Sequence, residues 1–343
     1  MPIARAVLLI VPALVALVTV GCAPQAPAVP KEAAVDHFVK GQVLDEKGDT
    51  EAALAELRRA VKIDPELSIA YSSMGDIHRR QGDWESARRA YESACQTNPF
   101  AFAAHYNLGL TYQTLAEAAE AAEAVEQYLR KAVDLYLRAL TLQPEDFDSN
   151  LNLSACYFQL GEAQEAEKYC QAAITIDPSS AKALANLATI KDSQEELYEA
   201  IKAYKASLEL DMHQPDILLN LGSAYMRQGR LKEAMRSFEQ AATEDPNNSV
   251  PVEKIGACYF YMREFNKAEE SYVKAMELDP KSAAAHRGLG VAYMSQFIMD
   301  SKRTDMRDRA LEEWNASLEF QPEQEDLRQL VEKYTPPLEG PKL

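Results

Sequence analysis

The sequence predicts an all-α fold: an α-solenoid of about eight helix-turn-helix repeats, closed by one C-terminal capping helix. Three observations predict it. Helix-forming Ala, Glu and Leu dominate, and glycine is scarce, at 13 in 343 residues, a balance that favours helix over sheet. A polar residue followed by proline recurs at Pro65, Pro99, Pro144, Pro178, Pro246, Pro280 and Pro322, with spacings of 34, 45, 34, 68, 34 and 42. Between those marks the same small and large residues return in the same register, and a fixed period of this length is the mark of a repeat array.

Residues 1–21 stand apart. Arg5 gives a weak positive start, and Ala6 to Val20 is an uncharged, mostly apolar run interrupted by Pro12. It is too short for a membrane span, which needs ~20 residues, and fits the apolar region of an export signal. The run ends in Thr19-Val20-Gly21-Cys22. A small residue before a cysteine at this place resembles a bacterial lipobox, although Thr19 stands where that motif usually has Leu. The resemblance implies cleavage before Cys22 and acylation of Cys22, a lipid anchor. Several acyl chains hold firmly, because each buried CH₂ contributes ~0.8 kcal/mol. An ordinary signal cut near Cys22, or an uncleaved anchor, are the alternatives. Ala23 follows the cysteine, which by resemblance to enterobacterial sorting favours the outer membrane, facing the periplasm. Residues 22–31 then alternate Ala and Pro, a composition suited to an extended tether.

Residues 32–322 hold the repeats. The first helix of a period carries Leu-Gly or a variant, then an aromatic three residues on: Leu108-Gly109 with Tyr112, Leu153-Ser154 with Tyr157, Leu221-Gly222 with Tyr225, Ile255-Gly256 with Tyr259, Leu289-Gly290 with Tyr293. Gly48, Gly82, Gly161 and Gly229 mark the turn. The second helix carries small, large, small at intervals of four and three, as in Ala87/Tyr91/Ala94, Ala234/Phe238/Ala241 and Ala310/Trp314/Ser317. Those intervals put the set on one helix face. Proline ends each period because it cannot continue a helix, yet it starts the next well. The fifth period is the most divergent, with Ala188 for the glycine, Lys191 for the aromatic and no turn glycine. Two periods carry insertions. Residues 115–125 are expected to lengthen both helices of the third repeat into a projecting hairpin. Residues 297–307, with Lys302, Arg303, Arg307 and Arg309 nearby, are expected to form a longer basic turn in the eighth.

Residues 323–335 place Leu327, Leu330, Val331 and Tyr334 at i, i+3, i+4, i+7, one apolar helix face suited to closing the array. Residues 336–343, rich in proline, are expected to be a flexible tail.

This pattern resembles the tetratricopeptide repeat (TPR) over the whole of residues 32–322. The resemblance implies a right-handed superhelix whose first helices line a concave groove, and a partner that is a protein or an extended peptide. Two residues before the small residue of the first helix, four consecutive repeats have asparagine: Asn107, Asn152, Asn186 and Asn220. An asparagine side chain both donates and accepts, so such a column can pair with a peptide backbone of any sequence. It is similar to the asparagine ladder in the repeat domain of O-GlcNAc transferase. Bonding between helices is the alternative role. Tyr106, Leu151, Phe158, Leu219, Met226, Phe260 and Met294 fall on neighbouring concave positions and would anchor apolar side chains. The Lys/Arg/Asn clamp of chaperone-binding repeats is absent, since its places hold Phe38, Gln42, Ser72, Asp76, Tyr106 and Leu110.

The net charge of −17 argues against nucleic acid as partner, because an acidic surface repels phosphates. No His-Glu-x-x-His, Walker loop or Gly-x-Ser-x-Gly occurs, so no enzyme, metal, cofactor or small-molecule substrate is expected. His37, His78, His105, His213 and His286 have no ligand spacing. Cys156 and Cys170 could form a disulfide in an oxidising compartment, or be buried as small apolar residues.

The expectation is a non-catalytic scaffold of the bacterial envelope, similar to the pilotin-type lipoproteins of pili. A self-associating structural component and a regulatory subunit of a separate enzyme are the alternatives.

Overall fold

The computed structural model describes residues 31–336. The signal segment, Cys22, the tether and the tail from residue 337 lie outside the described residues. Seventeen helices follow in order. They form eight pairs: Lys31–Glu46 (α1) with Thr50–Ile63 (α2), Ser68–Arg80 (α3) with Trp84–Thr97 (α4), Phe102–Glu117 (α5) with Ala122–Leu142 (α6), and Phe147–Gln159 (α7) with Ala163–Ile176 (α8). The second half comprises Ala181–Ser193 (α9) with Leu197–Leu210 (α10), Pro215–Arg227 (α11) with Leu231–Glu244 (α12), Ser249–Tyr261 (α13) with Phe265–Leu278 (α14), and Ala283–Met299 (α15) with Thr304–Phe320 (α16). Glu325–Tyr334 (α17) closes the array.

Each helix packs on the one before and the one after it. The first helices of neighbouring repeats also touch: α1 meets α3, α5 meets α7, α7 meets α9, α9 meets α11 and α13 meets α15. Second helices of neighbouring repeats do not come as close. The crowded side of a curved stack is its inner side, so the first helices line the concave face of the right-handed superhelix.

The small/large/small set of the second helices forms the core. Tyr91, Tyr136, Cys170, Phe238 and their flanking alanines are all 0% exposed. Each buried aromatic ring contributes roughly 2–3 kcal/mol. The space they fill exists because the first helix presents no side chain there. A β-carbon on Gly75 would lie 2.6 Å from Cε1 of Tyr91.

The divergent fifth repeat folds by substitution of function. Ala188 is fully buried in the glycine's place. Lys191, in the aromatic's place, bridges Glu167 of α8 at 2.8 Å and Glu196 at 2.9 Å. Glu195 adopts φ 62°, the left-handed conformation that Gly82, Gly161 and Gly229 supply elsewhere, and Arg263 does the same at φ 61°. Where one period lacks its proline, Pro215 begins α11, and Gln214 donates from Nε2 to Ser207 Oγ at 3.1 Å and to the Asp211 carbonyl at 2.7 Å.

The first insertion extends α5 to 16 residues and α6 to 21. The second corrects an expectation. Residues 297–307 lengthen the turn by only one residue, to Asp300–Arg303, against three residues between α13 and α14; α15 and α16 take up the rest and reach 17 residues each. The segment contains no glycine or proline, so nothing stops α15 before Met299, and the added residues continue both helices. At the C-terminus Leu327 is fully buried, and Leu330, Val331 and Tyr334 pack on the same cluster as Trp314.

Candidate functional site

The asparagine column divides in two. Asn107 donates from Nδ2 to Asp76 Oδ1 across α3 and α5 at 3.4 Å. Asp76 also accepts from the Tyr91 hydroxyl at 2.6 Å. Asn152 donates to the Tyr106 hydroxyl at 3.4 Å, tying α7 to α5. These two amides join neighbouring repeats. The side-chain amides of Asn186 and Asn220 make no hydrogen bond within the protein among the described residues; Asn220 is exposed and Asn186 half-buried.

Asn186 lines a hollow of about 150 Å³ between α7 and α9, with Phe158, Gln159, Thr189 and Ile190. The hollow exists because small residues, Ser154 and Ala155 on α7, face it. Tyr106 is half-buried, stacked on Phe102 with ring centroids 6.1 Å apart. Burial is the first cause that raises its phenol pKa, with Asp148 second. Met226 is half-buried against the cluster of Leu221 and Tyr225. Phe260 is half-buried and edge-on to Tyr261 and Phe265, at 5.7 and 5.8 Å. Phe158 and Asn186 therefore share one hollow, and Tyr106 and Asn152 one contact, while Met226 and Phe260 lie further along the array.

Two concave assignments are wrong. Leu151 and Met294 are each 3% exposed. Leu151 turns between repeats onto Ala173 and Ala183, and Met294 joins the core around Trp314. Their helical register also faces the next repeat, and an apolar side chain there takes the buried rotamer.

The groove contains ion pairs that the repeat pattern did not bring forward. Arg80 binds Asp45 Oδ2 at 2.6 Å, and Arg227 binds Asp192 at 2.7 Å. In both, an arginine of one first helix reaches an aspartate 35 residues earlier, which is one period plus one. That interval was the available signal. The side-chain amides of Asn186, Asn220 and Gln159 are neutral polar groups of the central groove without a hydrogen-bond partner among the described residues.

The histidines, acids and cysteines do not gather into a metal-binding cluster among the described residues. His37, His213 and His286 each pair with a glutamate, at 2.5, 2.7 and 2.6 Å. No group of three or more His, Cys, Asp or Glu is placed to hold a metal ion. Cys95, Cys156, Cys170 and Cys258 are free thiols, the last three buried. The 156–170 disulfide does not form: Cys170 donates instead to the Ala183 carbonyl at 3.3 Å.

Comparison with known proteins agrees with this geometry. Among solved structures, a tetratricopeptide repeat protein from Parabacteroides merdae superposes with TM-score 0.52 at 19% identity, over 76% of this chain and 99% of its own. Pseudomonas aeruginosa PilF superposes with TM-score 0.51 at 18% identity, over 64% of this chain and 94% of its own. At such identities the likeness is one of fold. Residues 256–296 match the family model of the TPR repeat, and residues 26–253 match that of the cilia and flagella-associated protein 70 C-terminal domain. The chain belongs to that family, and through both matches to the tetratricopeptide-repeat proteins.

Proposed function

We propose that this protein is a non-catalytic scaffold of the bacterial cell envelope, anchored through lipid on Cys22, probing for and holding an extended segment of a partner protein in its concave groove. The observation that carries the reading is the pair Asn186 and Asn220. Two side-chain amides on successive first helices stand without intramolecular partners among the described residues, and the first of them, Asn186, lines the hollow walled by Phe158. A neutral amide can pair with a peptide backbone in either direction, and a hollow of about 150 Å³ takes one aliphatic side chain. Assembly of a pilus, a secretion channel or an outer-membrane complex is the role we infer, with the fold shared by PilF as its support.

The test is co-purification from detergent-solubilised envelopes, run beside Asn186→Ala/Asn220→Ala. Because those amides carry no internal bond, the double variant keeps its thermal midpoint. A partner bound by the parent and lost by this variant supports the groove; equal capture by both removes it. Cys22→Ser separately tests the anchor: unchanged fractionation with membranes would sink the lipid assignment.

Self-association is a second reading, favoured by α1. Val35, Val39 and Val43 are 49, 49 and 41% exposed on one stripe. The residues at Val43's place in the later repeats, from Ile77 and Thr111 to Ala292, are all buried. Sedimentation over a range of concentrations tests it: a monomer throughout removes it.

A further inference from the structure

Two arginines occupy positions that local physics disfavours, and both open onto one cavity. Arg263 holds φ 61° at a turn where other repeats use glycine. A left-handed backbone crowds the β-carbon of any residue other than glycine against the following carbonyl oxygen. Arg303 is the N-cap of α16. The same place before α8, α10 and α14 holds Glu162, Glu196 and Glu264, as the positive end of a helix dipole prefers. Arg230 also precedes a helix, but Glu233 at 2.9 Å and the Tyr225 ring at 4.4 Å receive its charge. Arg303 has no such relief: among the described residues no carboxylate lies within ion-pairing distance of Arg263 or Arg303. Arg303 donates only to Gln296 Oε1, at 2.8 Å.

The cavity between the α13–α14 turn and the overshooting end of α15 measures about 420 Å³, and Arg263, Phe265, Lys267, Gln296, Met299 and Arg303 line it. Its wall also holds Glu264, which Lys267 already engages at 2.6 Å. Gln296 is 6% exposed and its Nε2 has no partner. Met299 in the cavity lining is 61% exposed, and Tyr261 and Ile298, in the last turns of α13 and α15, are 62% and 61% exposed. Exposed apolar surface with a polar rim marks an interaction site. Here the uncompensated charge is positive, on a chain whose net charge is −17.

We propose that this cavity docks an acidic, apolar segment of a partner protein. An Asp or Glu carboxylate of the segment would meet the guanidinium groups of Arg263 and Arg303, and its neighbouring large apolar side chain would lie on Phe265 and Met299. Arginine suits this role because its planar fork matches a carboxylate. Local positive charge on an acidic molecule also sets register, since an acidic segment is repelled elsewhere. The site lies at the turn edge of the seventh and eighth repeats and does not depend on the groove reading.

The test uses the full chain carrying Cys22→Ser, which leaves residues 31–336 untouched, and a display library of random dodecapeptides. The expected result is enrichment of sequences with Asp or Glu beside Leu, Ile or Phe. Affinity for an enriched peptide, measured by fluorescence anisotropy, should fall at least about tenfold in Arg263→Glu/Arg303→Glu, a difference of ~1.4 kcal/mol. That variant folds, because Glu195 already takes the same turn conformation and Glu264 the same cap position; its thermal midpoint should equal or exceed the parent's. Asn186→Ala/Asn220→Ala should bind the peptide unchanged. Enrichment without acidic residues, or peptides that bind parent and reversal variant equally, overturns the proposal. So does an arginine-dependent adhesion to phosphatidylglycerol vesicles in place of peptide, which would make the patch a membrane contact.

Discussion

A β-carbon on Gly222 would lie 2.5 Å from Cε1 of Phe238, so the ring in α12 occupies the room that α11 leaves by having no side chain there. Gly222→Ala must push the ring or part the helices. Alanine's better helix propensity returns at most ~1 kcal/mol, against an overpacking cost of ~1–3 kcal/mol. We expect net destabilisation in urea unfolding, partly recovered in Gly222→Ala/Phe238→Leu. An unchanged midpoint in the single variant would show that the two helices are not in such close contact.

The left-handed turn residue Glu195 leads to the opposite sign. Its φ of 62° is the conformation of Gly229 at 73° in the next repeat. Glu195→Gly should relieve strain of roughly 1–2 kcal/mol, less the extra freedom that glycine brings to the unfolded chain. The expected net gain is ~0.5–1 kcal/mol, read as a raised thermal midpoint. A loss would mean that the distant contact of Glu195 with Arg227, at 3.9 Å, outweighs backbone strain.

These two positions show how far the sequence could be read. The repeat period and the helix pairs follow from spacing, because each is a local rule applied eight times, and so does the glycine-to-ring packing, which five repeats share. Glu195 could not be assigned, since a missing glycine hides a conformation that the neighbouring repeats impose. The asparagine column was visible, but its division was not. Whether an amide bonds across repeats depends on which acceptor the preceding first helix offers: Asp76 and Tyr106 supply one to Asn107 and Asn152. The basic insertion was visible as composition, whereas its cavity arises only when α15 overshoots beside the turn at Arg263.

Glu56 gives the first repeat a dependence on pH. Its carboxylate, 5% exposed, accepts from Lys40 at 2.9 Å, His37 at 2.5 Å and Arg59 at 2.7 Å, joining α1 to α2. The bond from Lys40, then that from His37, holds its pKa at about 2, below the ordinary 4.5. A carboxyl whose folded pKa is depressed stabilises fully above its unfolded pKa and loses that stabilisation as the pH falls through the folded one. Parent and Glu56→Gln should therefore differ in thermal midpoint at neutral pH. The difference should shrink from about pH 4.5 downward and largely vanish near pH 2. A constant difference across that range would assign the role of Glu56 to packing.

The four thiols predict a kinetic pattern. Burial, the first cause in each case, raises the pKa of Cys156 to about 12 and those of Cys95, Cys170 and Cys258 to about 11. The thiolate is the nucleophile, so at pH 8 little of it exists even where reagent can enter. Cys95 alone is half-buried; Cys156, Cys170 and Cys258 are closed off by their neighbours. Ellman's reagent on folded Cys22→Ser protein should react slowly with one thiol and far more slowly with three. All four should react promptly in guanidinium, without prior reduction. Two thiols missing in the unreduced, unfolded protein would reveal a disulfide, and would require α7 and α8 to pack differently from the arrangement in which Cys170 faces Ala183.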